Sequence, residues 1–261
     1  MPPAGCTSGF LPGTVRGVNT QPKLVVPHHL QRSRYKDQAV IQQSARELLA
    51  YMAVQIGYED LRGLAVLDVG CGVKFTEAIL NDGMPIGRYV GVDAYAPVVE
   101  FLRENVDDPR FEFAHADFYN ERYNPQGAKM TAGSRLPIPD EQFDIICLFS
   151  VFTHLDPHDY RVMLQMLRRY AKPDGRLFYT LNIDELTEGG HGLIDAFSRV
   201  YGDDVVGRTE DYRDFNPADP LRNALYTEAY ARELIEGTGW SVVRLSPPVP
   251  FAQHQFTLQP A

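Results

Sequence analysis

The chain is poor in cysteine. Its 261 residues hold three, Cys6, Cys71 and Cys147, an odd and sparse set with no metal-like Cys-x-x-Cys spacing. It is also poor in positive charge: 25 lysines and arginines stand against 34 acidic residues, a formal net charge of −9. A surface that grips a phosphate backbone draws on clustered lysine and arginine. The nearest thing to such a cluster, Arg168-Arg169, reads as the solvated face of a helix, so no nucleic-acid partner is expected. No apolar run is long enough to span a membrane, and the N-terminus lacks a charged start followed by an apolar stretch. The expectation is a soluble, cytoplasmic protein with no membrane partner. Repeats and heptads are absent too, and this length fits one α/β domain with insertions.

What is present begins at Val66-Leu67-Asp68-Val69-Gly70-Cys71-Gly72. An apolar run ends in an acid and then in Gly-x-Gly, and helical apolar spacing follows. A buried parallel strand delivers a nucleotide-like ligand to a helix start in this way. Arg88-Tyr89-Val90-Gly91-Val92-Asp93 repeats the pattern, with a carboxylate placed to accept both hydroxyls of a ribose. A dinucleotide site wants a third glycine three residues after Gly72, where the helix presses on the strand beneath a pyrophosphate. This chain has Phe75 there, which fills that space. The pattern favours a ligand with a ribose and no pyrophosphate.

Along the chain, residues 1–34 are rich in Pro and Gly without periodicity and read as an N-terminal arm that could lie across the ligand. Residues 35–261 read as the domain. Helical spacing runs from Asp37 to Ile56. Strands are expected near 64–69, 88–93, 111–115, 143–149 and 175–182, with helices near 74–82, 96–105 and 156–171 between them. That alternation implies a parallel sheet with right-handed crossovers. An insertion at 119–142 carries turn formers that keep it on the surface at the carboxyl edge. A second at about 184–225, with Phe197, Tyr201, Tyr212 and Phe215, reads as a cap over the substrate. A helix from Thr227 to Glu236 and a terminal antiparallel hairpin over 240–245 and 251–258 close the chain.

These segments together resemble a class I S-adenosylmethionine-dependent methyltransferase. Motif I is similar to Val66 to Gly72, and the acid after the second strand to Asp93. The third strand and its acid resemble Phe111 to Phe118, and the fourth strand with its active-site exit resembles Phe143 to Leu155. The helix, Lys-Pro-x-Gly turn and fifth strand look like Leu167 to Tyr179. The likeness covers roughly residues 60–183, and it departs from the family at Lys74, where a third glycine is common. It implies a Rossmann-like, seven-stranded, mostly parallel sheet with helices on both faces, a terminal antiparallel hairpin and an inserted cap. The implied cofactor is S-adenosyl-L-methionine, and the implied acceptor is a small molecule with an oxygen or nitrogen nucleophile. The implied cofactor residues are Asp68, Gly70, Cys71, Gly72, Asp93, Ala94, Asp117, Phe118 and Ser150. Among them Asp93 would take the ribose, Asp117 the adenine amino group, and Asp68 the glycine loop or the cofactor ammonium.

His154, just beyond the fourth strand, is the candidate general base, since a neutral imidazole can take a proton from a hydroxyl or amine. The other reading is a helix-entry histidine bonded to backbone. Asp156, His158 and Asp159 stand beside it, but Asp156 is better explained as the N-cap of a helix at Pro157, and no metal is expected. Cys147 reads as core and Cys71 as a small side chain beside the cofactor, with no partner base for either. Lys74 could pair with the cofactor carboxylate, although a lysine pointing into water is the simpler expectation. Two other functions stay open: a nucleotide-linked enzyme such as a dehydrogenase, and a non-catalytic S-adenosylmethionine-binding protein.

Overall fold

The computed structural model describes residues 22–31, 37–120, 123–184, 205–206, 209–215, 223–248 and 253–261, with backbone alone at 205–206 and 215. Strands β1 (Leu61–Val69), β2 (Ile86–Asp93), β3 (Phe111–His115), β4 (Phe143–Leu148) and β5 (Ala171–Ile183) alternate with helices. These are α1 (Gln38–Gln55), α2 (Lys74–Asp82), α3 (Ala96–Asn105) and α4 (Pro157–Leu167). The chain ends with α5 (Glu228–Ile235) and the antiparallel pair β9 (Trp240–Ser246) and β10 (His254–Pro260). The sheet runs β3-β2-β1-β4-β5, with β10 and then β9 continuing beside β5. These seven strands are the expected sheet.

Strand order and parity set the layers. In β1, Leu67 and Val69 enter one core with α4 and α5, whereas Val66 enters the other with α1, α2 and α3. Alternation along a strand sends neighbours to opposite faces, so helices cover both sides and the strands are apolar throughout. Asp68 shares the face of Val66 and is therefore carried under the α1–α3 layer. Local signals fix the helix ends. Asp37 caps α1 through the Ala39 amide, Asp156 caps α4 through the Asp159 amide at 2.8 Å, and Thr227 caps α5 through Tyr230. Gly83, left-handed at φ 64°, ends α2.

Some expectations need correction. The helix expected over 156–171 stops at Leu167. A 3-10 turn over Arg168–Tyr170 leads into β5, which starts at Ala171 and so absorbs the Lys-Pro-x-Gly turn. Arg168 and Arg169 are not a solvated face. Arg168 donates to the Gly239 carbonyl and lies over the Trp240 ring, and Arg169 donates to the Ala132 carbonyl. Each guanidinium anchors a backbone carbonyl while keeping its charge. The 119–142 insertion is not wholly superficial, because Met130 and Leu136 are buried in the α4-side core and the Leu136 amide donates to Tyr170 at 2.8 Å.

Three short strands extend the sheet from the end of β5: β8 (Asn223–Tyr226), β7 (Tyr212–Phe215) and β6 (Val205–Val206). They come from the segment expected to form a cap. Tyr212, one of its aromatics, is buried with its ring 5.1 Å from that of Tyr226. Phe197, Tyr201 and the Phe215 side chain lie outside the described residues, as does Cys6.

Candidate active site

At the carboxyl edge of β1, β2 and β4 lies a cavity of about 850 Å³, walled by the loops after these strands, by α1 and by part of the 119–142 insertion. Open α/β sheets bind ligands at this edge, where the crossovers diverge. Gly70, Cys71, Gly72, Asp93, Ala94, Phe118, Ser150 and His154 all line it. Residues drawn from four separate stretches of sequence thus meet at one opening.

The glycine loop is shaped by two left-handed residues, Gly70 at φ 76° and Gly72 at φ 50°. A Cβ on Gly70 would sit 2.4 Å from Val151 Cγ2, while one on Gly72 would meet nothing within 4 Å. Gly70 therefore lets β1 and β4 approach, and Gly72 bares its backbone to the cavity. Asp93 Oδ2 accepts the Gly72 amide and Oδ1 accepts the Tyr95 amide, each at 2.8 Å. Asp93 does not cap α3, whose N-cap is Tyr95. Cys71 is packed over Gly91, where its sulfur would stand 2.9 Å from an added Cβ. Burial pushes its thiol well above the usual range, as it does that of Cys147, so neither is poised as a thiolate nucleophile.

Asp68 is buried at the end of β1, and the Tyr89 hydroxyl donates to its Oδ2 at 2.5 Å. Burial raises this carboxyl to about 7 against the opposing hydrogen bonds of Tyr89 and Cys147, and the Asp93 charge adds to the rise. Lys74, on the first turn of α2, donates from Nζ to Ser44 Oγ of α1 at 3.0 Å and lines the cavity. It does not simply point into water. Phe75 is buried edge-on against Phe149, ring centroids 4.8 Å apart, and fills the space a closer helix would need.

Beyond β4 the backbone is strained. Ser150, at φ 57°, is the one non-glycine with positive φ among the described residues. Its amide donates to Thr180 Oγ1 at 2.7 Å, and its hydroxyl to Gln253 Oε1 at 3.1 Å. Such outliers persist only where the surroundings over-determine them. His154 ends a 3-10 turn over Phe152–His154 and stands edge-on to Tyr123, 6.0 Å between centroids. Asp117 is placed differently from the rest. It is exposed, accepts the Asn124 side-chain amide at 2.9 Å and does not line the cavity, whereas its neighbours Ala116 and Phe118 do.

Other lining residues escaped the sequence reading. Leu30 and Gln31 come from the arm, Ser44 and Leu48 from α1, and Thr180 and Gln253 from β5 and the approach to β10. None sits in a recognisable motif. The arm offers the short apolar run Leu24-Val25-Val26 before Pro27, of which Leu24 and Val26 are buried and Val25 is exposed.

Residues 67–179 match the family model described as a methyltransferase domain. That stretch, a little under half of the chain, is similar to a methyltransferase domain. Among curated relatives, the mitochondrial ubiquinone biosynthesis O-methyltransferase of Dictyostelium discoideum is 29% identical over 129 residues, covering 45% of this chain and 35% of that protein. The tRNA N(3)-cytidine methyltransferase of Gallus gallus is 31% identical over 140 residues, 50% and 35%. The chain thus spans about a third of the length of these relatives. Among solved structures, magnesium protoporphyrin IX methyltransferase from Synechocystis PCC 6803, with bound S-adenosylhomocysteine, superimposes at a TM-score of 0.53. It is 16% identical and covers 89% of this chain and 92% of that one. The pyocyanin biosynthetic protein PhzM gives 0.55 at 15% identity, covering 89% and 61%. These likenesses are likenesses of fold. Among the described residues, no helix is long and apolar enough to cross a membrane.

The site suits S-adenosylmethionine. Asp93 lines the cavity with its carboxylate tied to the Gly72 amide, the space at the Gly72 Cα is unobstructed, and the cavity volume is sufficient for that cofactor.

Proposed function

We propose that this protein transfers a methyl group from S-adenosylmethionine to an oxygen or nitrogen of a small-molecule acceptor. The observation that carries the reading is the Asp93–Gly72 bond at the cavity edge, which brings a ribose-binding carboxylate and the glycine loop into one unit. When bound, the cofactor supplies an electrophilic methyl on a sulfonium, and in-line displacement asks the protein mainly for placement. Orientation can contribute on the order of 7–11 kcal/mol.

The chain's residues divide that work. Gly70 and Gly72 let backbone approach the ligand, Asp93 takes the ribose hydroxyls, and Ala94 and Phe118 flank the base. Asp117, which accepts Asn124 on Oδ1 and stands outside the cavity lining, would reach the adenine amino group only by turning its other oxygen inward. Asp68 sets the glycine loop from beneath. Ser150 shapes the exit of β4, and His154 takes the proton that a hydroxyl or amine acceptor must lose. Net negative charge and a cavity lined, among the described residues, by one lysine and no arginine support a small acceptor over a nucleic acid. One relative acts on tRNA, so RNA belongs in any acceptor screen.

Calorimetry tests the cofactor half of the proposal. S-adenosylmethionine and S-adenosylhomocysteine are expected to bind and NAD is not, because Phe75 occupies the space a pyrophosphate site requires. Tight NAD binding with no response to S-adenosylhomocysteine would favour a nucleotide-linked enzyme of another class. Cofactor binding without turnover on any acceptor would favour a binding protein.

A further inference from the structure

The segment before α1 is held to the helix that carries the glycine loop, and the hold is made by side chains one helical turn apart. Asn81, near the end of α2, clamps one residue of backbone from both sides. The Leu24 amide donates to its Oδ1 at 2.9 Å, and its Nδ2 donates to the Leu24 carbonyl at 2.8 Å. A side-chain carboxamide here does what a neighbouring strand does in a sheet. Glu77 lies four residues earlier, hence on the same face of α2. Its buried carboxyl lies beside the Val26 amide and the side chains of Gln38 and Gln42, with Oε2 left without a hydrogen-bond partner among the described residues, and burial raises its pKa. Gln31 closes the arrangement, since its Nε2 donates to the Val26 carbonyl at 3.3 Å and to Gln38 Oε1 at 2.5 Å.

This much hydrogen bonding is more than a leader arm needs to rest on a surface, and it has a definite end point. Leu24, Val26 and Leu30 are buried, and past Val26 the chain places Leu30 and Gln31 in the cavity wall. The opposite end of α2 carries Lys74 into the same cavity.

We propose that Asn81 and Glu77 are positioning residues that hold residues 24–31 as a wall of the cofactor site, so that Leu30 and Gln31 contact the bound cofactor. The inference rests on the methyltransferase reading and extends it to a segment outside the matched domain. Asn81 acts through the strap alone, since it does not line the cavity, whereas Glu77 holds the strap and also lines the cavity wall. Orientation follows from the clamp: with both Leu24 groups satisfied, residues 24–26 have one seat on α2, and Leu30 follows from it by a single 3-10 turn over His28–Leu30.

The test uses the full chain with S-adenosylhomocysteine as probe, reading affinity by calorimetry beside thermal unfolding and hydrogen exchange. Asn81→Ala and Glu77→Ala are expected to weaken binding about tenfold, the equivalent of one or two lost hydrogen bonds. Glu77→Gln, which can still accept the Val26 amide, should stay within about threefold of the parent. Gln31→Ala should weaken binding with little change in melting temperature. Arg168→Ala, remote at Gly239, controls for destabilisation alone and should lower the melting temperature without moving the affinity. Exchange over residues 22–31 should slow when the probe saturates the parent protein, and should not in Asn81→Ala. The proposal is overturned if Asn81→Ala and Glu77→Ala behave as Arg168→Ala does, or if exchange over 22–31 ignores the probe. A parent chain that does not bind S-adenosylhomocysteine strikes at the cofactor reading itself, so the two failures are distinguishable.

Discussion

Asp93 Oδ2 accepts the backbone N–H of Gly72 at 2.8 Å, joining the end of β2 to the glycine loop at the end of β1. Its other oxygen accepts the Tyr95 amide, and each oxygen keeps a further lone pair for a ligand hydroxyl. The carboxylate therefore shapes the loop with the same two atoms that would bind the ligand. Asp93→Ala is expected to lose charge-assisted bonds worth about 1.5–3 kcal/mol, a drop in S-adenosylhomocysteine affinity of about ten- to 150-fold. Calorimetry decides, and an unchanged Kd would remove Asp93 from the ribose role.

The two glycines should fail in different ways. Gly70→Ala combines a left-handed φ of 76° with a Cβ 2.4 Å from Val151 Cγ2, so it should cost about 1–3 kcal/mol of stability through strain and overpacking. Adding Val151→Ala should restore the steric part of that loss and leave the backbone part. Gly72→Ala has open space and a φ of 50°. Its stability cost should stay near the roughly 1–2 kcal/mol of a left-handed residue, with the larger effect on cofactor affinity because the new methyl enters the cavity. Equal rescue of both glycine variants by Val151→Ala would contradict this assignment.

How much of this was legible from residues alone follows from how far each interaction reaches along the chain. The run Val66–Gly72 and the strand ending at Asp93 are local patterns, since a strand buried on both faces must be apolar throughout and a left-handed loop selects glycine. Asp156 before Pro157 was legible for the same reason. The surroundings of Asp68 were not. Its partner Tyr89 lies 21 residues on, and which face it takes depends on the helix covering β1. Asp117 shows the limit of matching by position, because the chain past His115 turns its carboxylate toward Asn124 while Ala116 and Phe118 line the cavity. The strap was illegible because its order comes from Asn81, 57 residues away.

Asp68 makes stability depend on pH in an unusual direction for a carboxyl. Its folded-state value of about 7 lies above its ordinary 3.8, so the folded chain holds the proton more tightly than the unfolded one. The contribution of this group is full below pH 4 and is lost as pH rises through 7. Between pH 5 and 8 that loss should amount to about 2–3 kcal/mol. Asp68→Asn removes the titration and can still accept from Tyr89. Urea unfolding of the cofactor-free chain at the two pH values should therefore show a smaller decline in the variant than in the parent. Parallel declines would mean that Asp68 does not titrate in this window.

His154 stands where the chain leaves β4, beside Tyr123 in the cavity wall. If it takes the acceptor's proton, turnover should fall as pH drops through the imidazole range, near 6.5 for an ordinary histidine. His154→Ala should lower kcat by about a hundredfold or more, the scale of general base catalysis, while S-adenosylhomocysteine affinity stays within about twofold. A variant whose turnover matches the parent at every pH would leave His154 with its backbone role alone.

The acceptor is expected to be a small hydroxylated or amino compound. The cavity wall supports this. Met130, Leu136, Leu155 and Met163 give it an apolar side, and its acidic groups, Glu47, Asp68, Glu77 and Asp93, outnumber the single lysine, Lys74. A polyanion entering such a site meets repulsion and desolvation without cationic compensation, whereas a neutral ring gains apolar contact and spends one proton at His154. Phosphate tracking needs lysines and arginines in a row, and the two adjacent arginines of the chain, Arg168 and Arg169, do not line the cavity. The measurement is transfer of a labelled methyl group to bulk RNA, DNA and protein beside a pool of small phenols, alcohols and amines. Labelling confined to the small compounds, and insensitive to salt, is the expected result. Strong labelling of RNA that falls steeply between about 50 and 200 mM salt would overturn it, because that slope counts phosphate contacts.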